Sequence, residues 1–501
     1  MKMSCVSRRF ALLAALLLGG GVKALGQAGP SGGVAARLED GGRAIAIAAP
    51  ALAGFHGGFS ATVVIGGVTQ VLESASGALA GTNAFTEADT PYGAADVSLS
   101  TIRFEEARLD LLVRVESVHG APVVTLRAGI RNFGERPVRL AGVAPLAMGD
   151  ASPVGHADRA AGALQLPGSP ADWLVTGLNA NTQVVTSVQD LVRPLRIEEQ
   201  GSVYRSDGKG VLFGPVGAPV AYVFARVAAL GEGRAGLSLH SDMGGVRVDS
   251  GQSRWGQQMA LFLEPPQVAL ARWTEWVART HGSRTSKGAL SGWNSWYHLR
   301  QSVTGKDVLE VADQALKSDG HLRPEVIQID RGYAADPDES LATNDKFPEG
   351  LPFYARRIAA AGSRPGLRLE LNRVLRSQAQ NMSSVRQAVE AGFTYLKISY
   401  DFPAHEPDGV RTPFEIARGI YQEIRSAAGE STYILDCDQR LEPKAPNRAV
   451  VGMADASRSG PDTVRQGVRD VMEKVLRSYA LNGRWFAVDN DCYYMATELK
   501  D

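Results

Sequence analysis

The hydrophobic period of this 501-residue chain changes near residue 285, and that change limits the fold more than any other feature. From about residue 35 to 280 the chain reads as strands. In residues 122–131, Val124, Leu126, Ala128 and Ile130 interleave with Thr125, Arg127, Gly129 and Arg131. A period of two sends the first set to one face of a strand and the second to the other. Residues 109–118 and 137–143 are strand-like as well, with His119-Gly120 and Gly134-Glu135 as turns. Short strands at this spacing predict a large antiparallel sandwich.

After Trp276 a helical period takes over. Val308, Val311, Ala312, Ala315 and Leu316 recur at i, i+3, i+4, i+7 and i+8, and Gly320 supplies a stop. Strands are expected at 326–329, 366–371, 395–402, 432–435 and 485–488. Between them lie helices over 353–361, from a cap at Ser384, from Thr412-Pro413 onward, and over 464–479. This alternation predicts a parallel sheet, doubly wound or closed as an eight-fold barrel. No glycine-rich turn opens the first helix, which argues against a dinucleotide site. Polar residues gather at strand ends, as in a (β/α)8 TIM barrel. Counting from Gly292 to Trp296 gives seven strands, so the barrel is expected to stop short of its eighth. The expected divisions are a signal peptide over 1–26, a β-sandwich over 30–284 and an incomplete barrel over 285–501.

The signal peptide rests on Arg8-Arg9, the apolar run 10–18 and the small-x-small end Ala24-Leu25-Gly26. That run is shorter than the ~20 apolar residues of a spanning helix. The reading is therefore a periplasmic or secreted protein. Fifty-three basic and 53 acidic residues, interspersed, give a formal charge of +0, which points away from nucleic acid and from membrane surfaces as partners. No Cys/His cluster has zinc spacing, so neither a metal nor a cofactor is expected. Cys437 and Cys492 suit either a disulfide or two buried thiols.

The strand ends carry the candidate chemistry. Trp293 and Trp296 suit stacking on a sugar ring and equally suit core packing. Asp330 is placed to accept bonds from hydroxyls or to cap a helix. Lys397, Ser399 and Asp401 share one strand face, with Lys397 and Asp401 as an ion pair or a ligand clamp. Arg458 and Asp462 flank Ser459-Gly460-Pro461; Asp462 fits a general acid or an N-cap. Asp489 and Asp491 read as structural carboxylates. Six strand ends bearing hydroxyl-binding groups favour carbohydrate chemistry.

The blocks Gly292-Trp293-Asn294-Ser295-Trp296, Gln328-Ile329-Asp330 before Gly332-Tyr333, and residues 344–351 have a collective likeness. With the Arg458–Asp462 spacing and Asn490-Asp491-Cys492, they resemble melibiase-type α-galactosidases, glycoside hydrolase families 27 and 36, over about residues 290–495. The β-rich front half is closer to family 36, whose members begin with a β-supersandwich. The resemblance implies a retaining α-galactosidase with Asp462 as acid/base, Arg458 near the sugar 2-hydroxyl, and Lys397, Asp330 and Trp293 as sugar-binding residues. The chain departs from the pattern in three places. The family nucleophile position holds Ser399, the usual Asp-Asp is Asp330-Arg331, and the eighth strand and C-terminal β-domain are not found.

A serine does not serve the glycosyl-enzyme route, which uses a carboxylate about 5–5.5 Å from the acid/base group. Asp401 lies on the same strand face, about 6–7 Å further along. A bulge could draw it back; left in place it would suit the ~6.5–9.5 Å carboxylate spacing of an inverting enzyme. The expectation is a glycoside hydrolase acting on α-linked sugars, α-galactosides by default, with Asp462 and Asp401 as its carboxylates. The alternative is a carbohydrate-binding pseudoenzyme. An oligomer neighbour or partner is expected over the open barrel.

Overall fold

The computed structural model describes residues 34–49, 52–147, 163–165, 169–179, 182–231, 234–318, 320, 322–335, 341–372, 377–401, 408–437, 448–459, 475 and 478–490. The signal segment 1–26, Asp462, Asp491, Cys492 and nearly all of the expected helix 464–479 lie outside them. The chain divides into two compact units. One lies within Met1–Thr280 with Pro407–Pro413, the other within His281–Glu406 and Phe414–Asp501.

Among the described residues the first unit is an all-antiparallel network of eighteen strands. Leu109–Val118 pairs with Val123–Asn132, setting Val113 opposite Ala128 and Val115 opposite Leu126. Those alternating apolar side chains enter one continuous core with Phe59, Trp173, Phe213 and Leu239. Val138–Ala147 pairs with Leu52–Ile65 and Arg234–Val248. The buried Asn132 side chain ties the intervening turn down, donating to the carbonyls of Arg136 (2.8 Å) and Val248 (3.0 Å) and accepting from Gly134 N (2.9 Å). The strand pattern ends sooner than the sequence reading has it. Its last strand is Gln258–Phe262, and Pro266–His281 is a helix. Proline fits the first turn of such a helix, and Ala269, Trp273, Trp276 and Val277 bury one helical stripe.

The second unit carries a parallel sheet whose strand order follows the sequence: β1 Gly292–Asn294, β2 Val326–Ile329, β3 Arg364–Asn372, β4 Tyr395–Asp401, β5 Tyr433–Asp436, β6 Ala456–Arg458 and β7 Ala487–Asp489. These seven strands of the described residues form a partial barrel. Between them run α1 Gly305–Lys317, α2 Leu351–Ala360, α3 Gln378–Glu390 and α4 Pro413–Ala428. Thr304 opens α1 with a capping box: its hydroxyl accepts from Asp307 N, and the Asp307 carboxylate accepts from Thr304 N. Gly362, at φ +80°, takes the left-handed conformation just after α2.

One expected helix start is corrected. α3 is capped by Ser377, which forms a capping box with Gln380. Ser384 sits buried inside the helix, its hydroxyl donating to the Gln380 carbonyl at 3.3 Å. Ser377 offers both halves of the box, whereas a mid-helix serine satisfies itself on the preceding turn. β3 also outruns its expected 366–371 span at both ends. Along it Leu367, Leu369 and Leu371 are buried on one face, which leaves Arg368 and Glu370 on the other.

Candidate active site

Parallel register assembles the site. Gln328 on β2 stands beside Gly366, Arg368 on β3 beside Lys397, Glu370 beside Ser399, and Asn372 beside Asp401. Residues in register on neighbouring strands share a face and lie about 4.8 Å apart. Asp330, one residue past β2, therefore meets the polar face of β3 and β4 at the strands' C-terminal ends, where a parallel barrel builds its sites.

Asp330 is fully buried and its carboxylate is saturated. Oδ2 accepts from Lys397 Nζ (3.0 Å) and Gln328 Nε2 (2.8 Å). Oδ1 accepts from Arg368 Nη1 (3.1 Å) and Arg331 N (2.9 Å). The backbone N of Asp330 donates to Ser295 Oγ at 2.9 Å, which fixes the strand end. Burial opposes its charged form, but Lys397 and Arg368 outweigh that cost and hold the carboxyl down at about 2. Asp330 is therefore ionised at neutral pH, paired with the buried Lys397.

A second carboxylate stands beside it. Glu370 pairs with Arg331 and lies 3.4 Å from Arg368 Nη2. The same Nη2 donates to Ser399 Oγ at 3.2 Å. Glu370 keeps 29% of its side chain exposed, while Arg368 keeps 11%. The Tyr297 ring lies 5.8 Å from Lys397 Nζ and the Trp296 ring 5.6 Å from the Arg331 guanidinium carbon.

The expected site residues are distributed as follows. Asp330, Lys397 and Ser399 come together around Arg368. Lys397 pairs with Asp330, which lies past the end of β2, two strands away across β3; the expected Lys397–Asp401 contact falls outside the described side chains. Asp401 is the last residue of β4, and its side chain is outside what is described. Trp293 stands in register with Ile327, so it shares the strand face opposite Gln328, and the register does not bring it into the cluster. Asn294 takes the place beside Gln328, and its Oδ1 accepts from Trp296 N at 2.9 Å to start the short helix Trp296–Leu299. Arg458 ends β6, buried, with Nη1 3.5 Å from Cys437 Sγ and Nε 3.9 Å from Asp489, its neighbour in register on β7. Cys437 is a buried free thiol.

Arg368, Glu370 and Tyr297 are the residues that sequence reasoning passed over, and Ser295 was named only as part of the first-strand block. The signal for two of them was present: Leu367-Arg368-Leu369-Glu370-Leu371 alternates as a strand with one charged face. Among the described residues no cluster of three or more His, Cys, Asp or Glu side chains could hold a metal ion. No described helix is long and apolar enough to cross a membrane. The arrangement offers a buried, fixed anion–cation pair beneath the strand ends and one part-exposed carboxylate gripped by two guanidinium groups.

The fold has known counterparts. The family-36 α-galactosidase AgaA from Geobacillus stearothermophilus superposes with a TM-score of 0.55 at 12% identity, over 85% of this chain and 67% of that one. The α-galactosidase TtGalA from Thermus thermophilus, in complex with stachyose, gives 0.51 at 20% identity over 79% of this chain and 90% of that one. The galactosidase domain of the α-galactosidase-sucrose kinase AgaSK gives 0.57 at 13% over 86% and 66%. At these identities the likeness is one of fold. No family model matches the chain.

Proposed function

We propose that this protein hydrolyses terminal α-linked glycosides, with α-galactosides first among them, outside the cytoplasm. The observation that carries the reading is the buried, ionised Asp330 clamped by Lys397 at the open end of a fold like that of the α-galactosidases. Such a buried pair sets a fixed field beneath Arg368 and the part-exposed Glu370 without reorganising. Variants of AgaA form complexes with stachyose and raffinose, which supports a carbohydrate ligand of the same kind here. In this reading Asp462 protonates the leaving oxygen, Arg458 helps hold the ring, and a carboxylate at the mouth of β3 and β4, Asp401 on the sequence reading, completes the chemistry.

The test is turnover of a panel of aryl α-glycosides by the whole chain. The α-galactoside should be hydrolysed best, and Lys397→Met should lower kcat/KM about a hundred-fold. Ser399 favours a second reading, a protein that binds galactosides without cleaving them. Calorimetric binding of raffinose with no turnover of any aryl glycoside would establish that reading in place of the first.

A further inference from the structure

We infer that Glu370, on β3, supplies the carboxylate that attacks the anomeric carbon, taking over from the place on β4 that holds Ser399. The inference rests on the glycosidase reading above and names a catalytic residue for it. Position comes first. Glu370 stands in register with Ser399, at the same level of the barrel and one strand over, about 4.8 Å away. Asp401 ends β4, two positions after Ser399 and about 6–7 Å further along the strand. Arg368 Nη2 reaches both Ser399 Oγ (3.2 Å) and Glu370 Oε1 (3.4 Å), so one guanidinium nitrogen bridges the serine and the carboxylate. Glutamate is one methylene longer than aspartate, and a serine next door leaves that length room.

Accessibility separates the two described carboxylates at these strand ends. Asp330 is fully buried and spends its oxygens on four donors. Glu370 is held by Arg331 and Arg368 yet remains 29% exposed, so it is fixed in place and still open to a ligand. In the step, a Glu370 oxygen bonds to the anomeric carbon as the bond to the leaving oxygen breaks. Asp462 gives its proton to that oxygen. Water then attacks the anomeric carbon of the glycosyl ester, freeing Glu370, and its proton goes to Asp462. Two displacements on one carbon retain the anomer.

The experiment uses the unaltered chain. It is incubated with a fluorinated α-galactosyl fluoride, whose ester forms faster than it hydrolyses, and then digested with trypsin. Cleavage after Arg368 and Arg373 puts Glu370 in the peptide 369–373, while cleavage after Lys397 and Arg411 puts Asp401 in 398–411. Sugar mass on 369–373 is the expected result; sugar on 398–411, or turnover without any labelled peptide, overturns the inference. Failure to turn over aryl α-glycosides at all removes the glycosidase reading and this inference together. As a second line, Glu370→Gln should lower kcat on p-nitrophenyl α-galactoside about 10³-fold. A loss of less than about ten-fold overturns the inference. Glu370→Ala with azide should yield β-galactosyl azide, a product that a purely structural glutamate would not give.

Discussion

Asp330 shows how much of this site is electrostatic architecture. Four donors converge on one buried carboxylate, two of them full cations, so its charge is paired before any ligand arrives. Asp330→Asn would strand Lys397 as a buried ammonium without its anion. The expected cost is about 3–5 kcal/mol in denaturant unfolding. Removing both partners, as Asp330→Asn with Lys397→Met, should cost clearly less than the two single changes together, the signature of a coupled pair. The pH dependence follows in sign. The Asp330 carboxyl falls from 3.8 when unfolded to about 2 when folded, so its contribution is complete above about pH 4 and drains away as pH falls toward 2. Unfolding curves between pH 2 and 6 should show that loss in the parent protein and a flatter profile in Asp330→Asn.

Elements place these residues through caps and register. Thr304 caps α1 with a reciprocal Asp307 bond, so Thr304→Ala should destabilise the fold by about 1 kcal/mol, read as a lowered thermal midpoint without change in KM. The caps also explain which elements were legible in the sequence. Residues 326–329 read correctly as a strand because four apolar or amide residues sit between turn signals, and α1 read correctly because its apolar stripe keeps helical spacing. α3 was misplaced at its start because Ser384 and Ser377 look alike to a capping rule: each has a glutamine three residues on, Gln387 and Gln380, and only the Ser377–Gln380 box forms at a helix start. Lys397 and Ser399 were legible as one face of β4. Their partners on β3 were not, because alternation tells which residues share a face and says nothing of which neighbour stands opposite. That choice is made by register, which is set by the packing of Leu367, Leu369 and Leu371 against the rest of the unit. Trp293 illustrates the same limit: a three-residue strand has too little pattern to announce its face.

At the scale of the whole molecule, each unit has its own apolar reservoir. Trp173 is fully buried in the sandwich core, and Trp173→Ala should cost about 3–5 kcal/mol in the unfolding of that unit. The barrel unit spends much of its interior on charge instead. Asp330, Arg368, Glu370, Lys397 and Arg458 occupy strand ends where apolar side chains would stabilise more, which is the pattern of a site kept for a ligand. The change of hydrophobic period near residue 285 was enough to separate a strand-only half from an alternating one, and composition added only the absence of a strong net charge. The most direct test of the account is proton NMR of the first sugar released from an aryl α-galactoside by the unaltered chain. The account predicts α-galactose appearing before mutarotation, as two displacements through Glu370 require. Release of β-galactose first, or no release from a protein that binds raffinose, would contradict it.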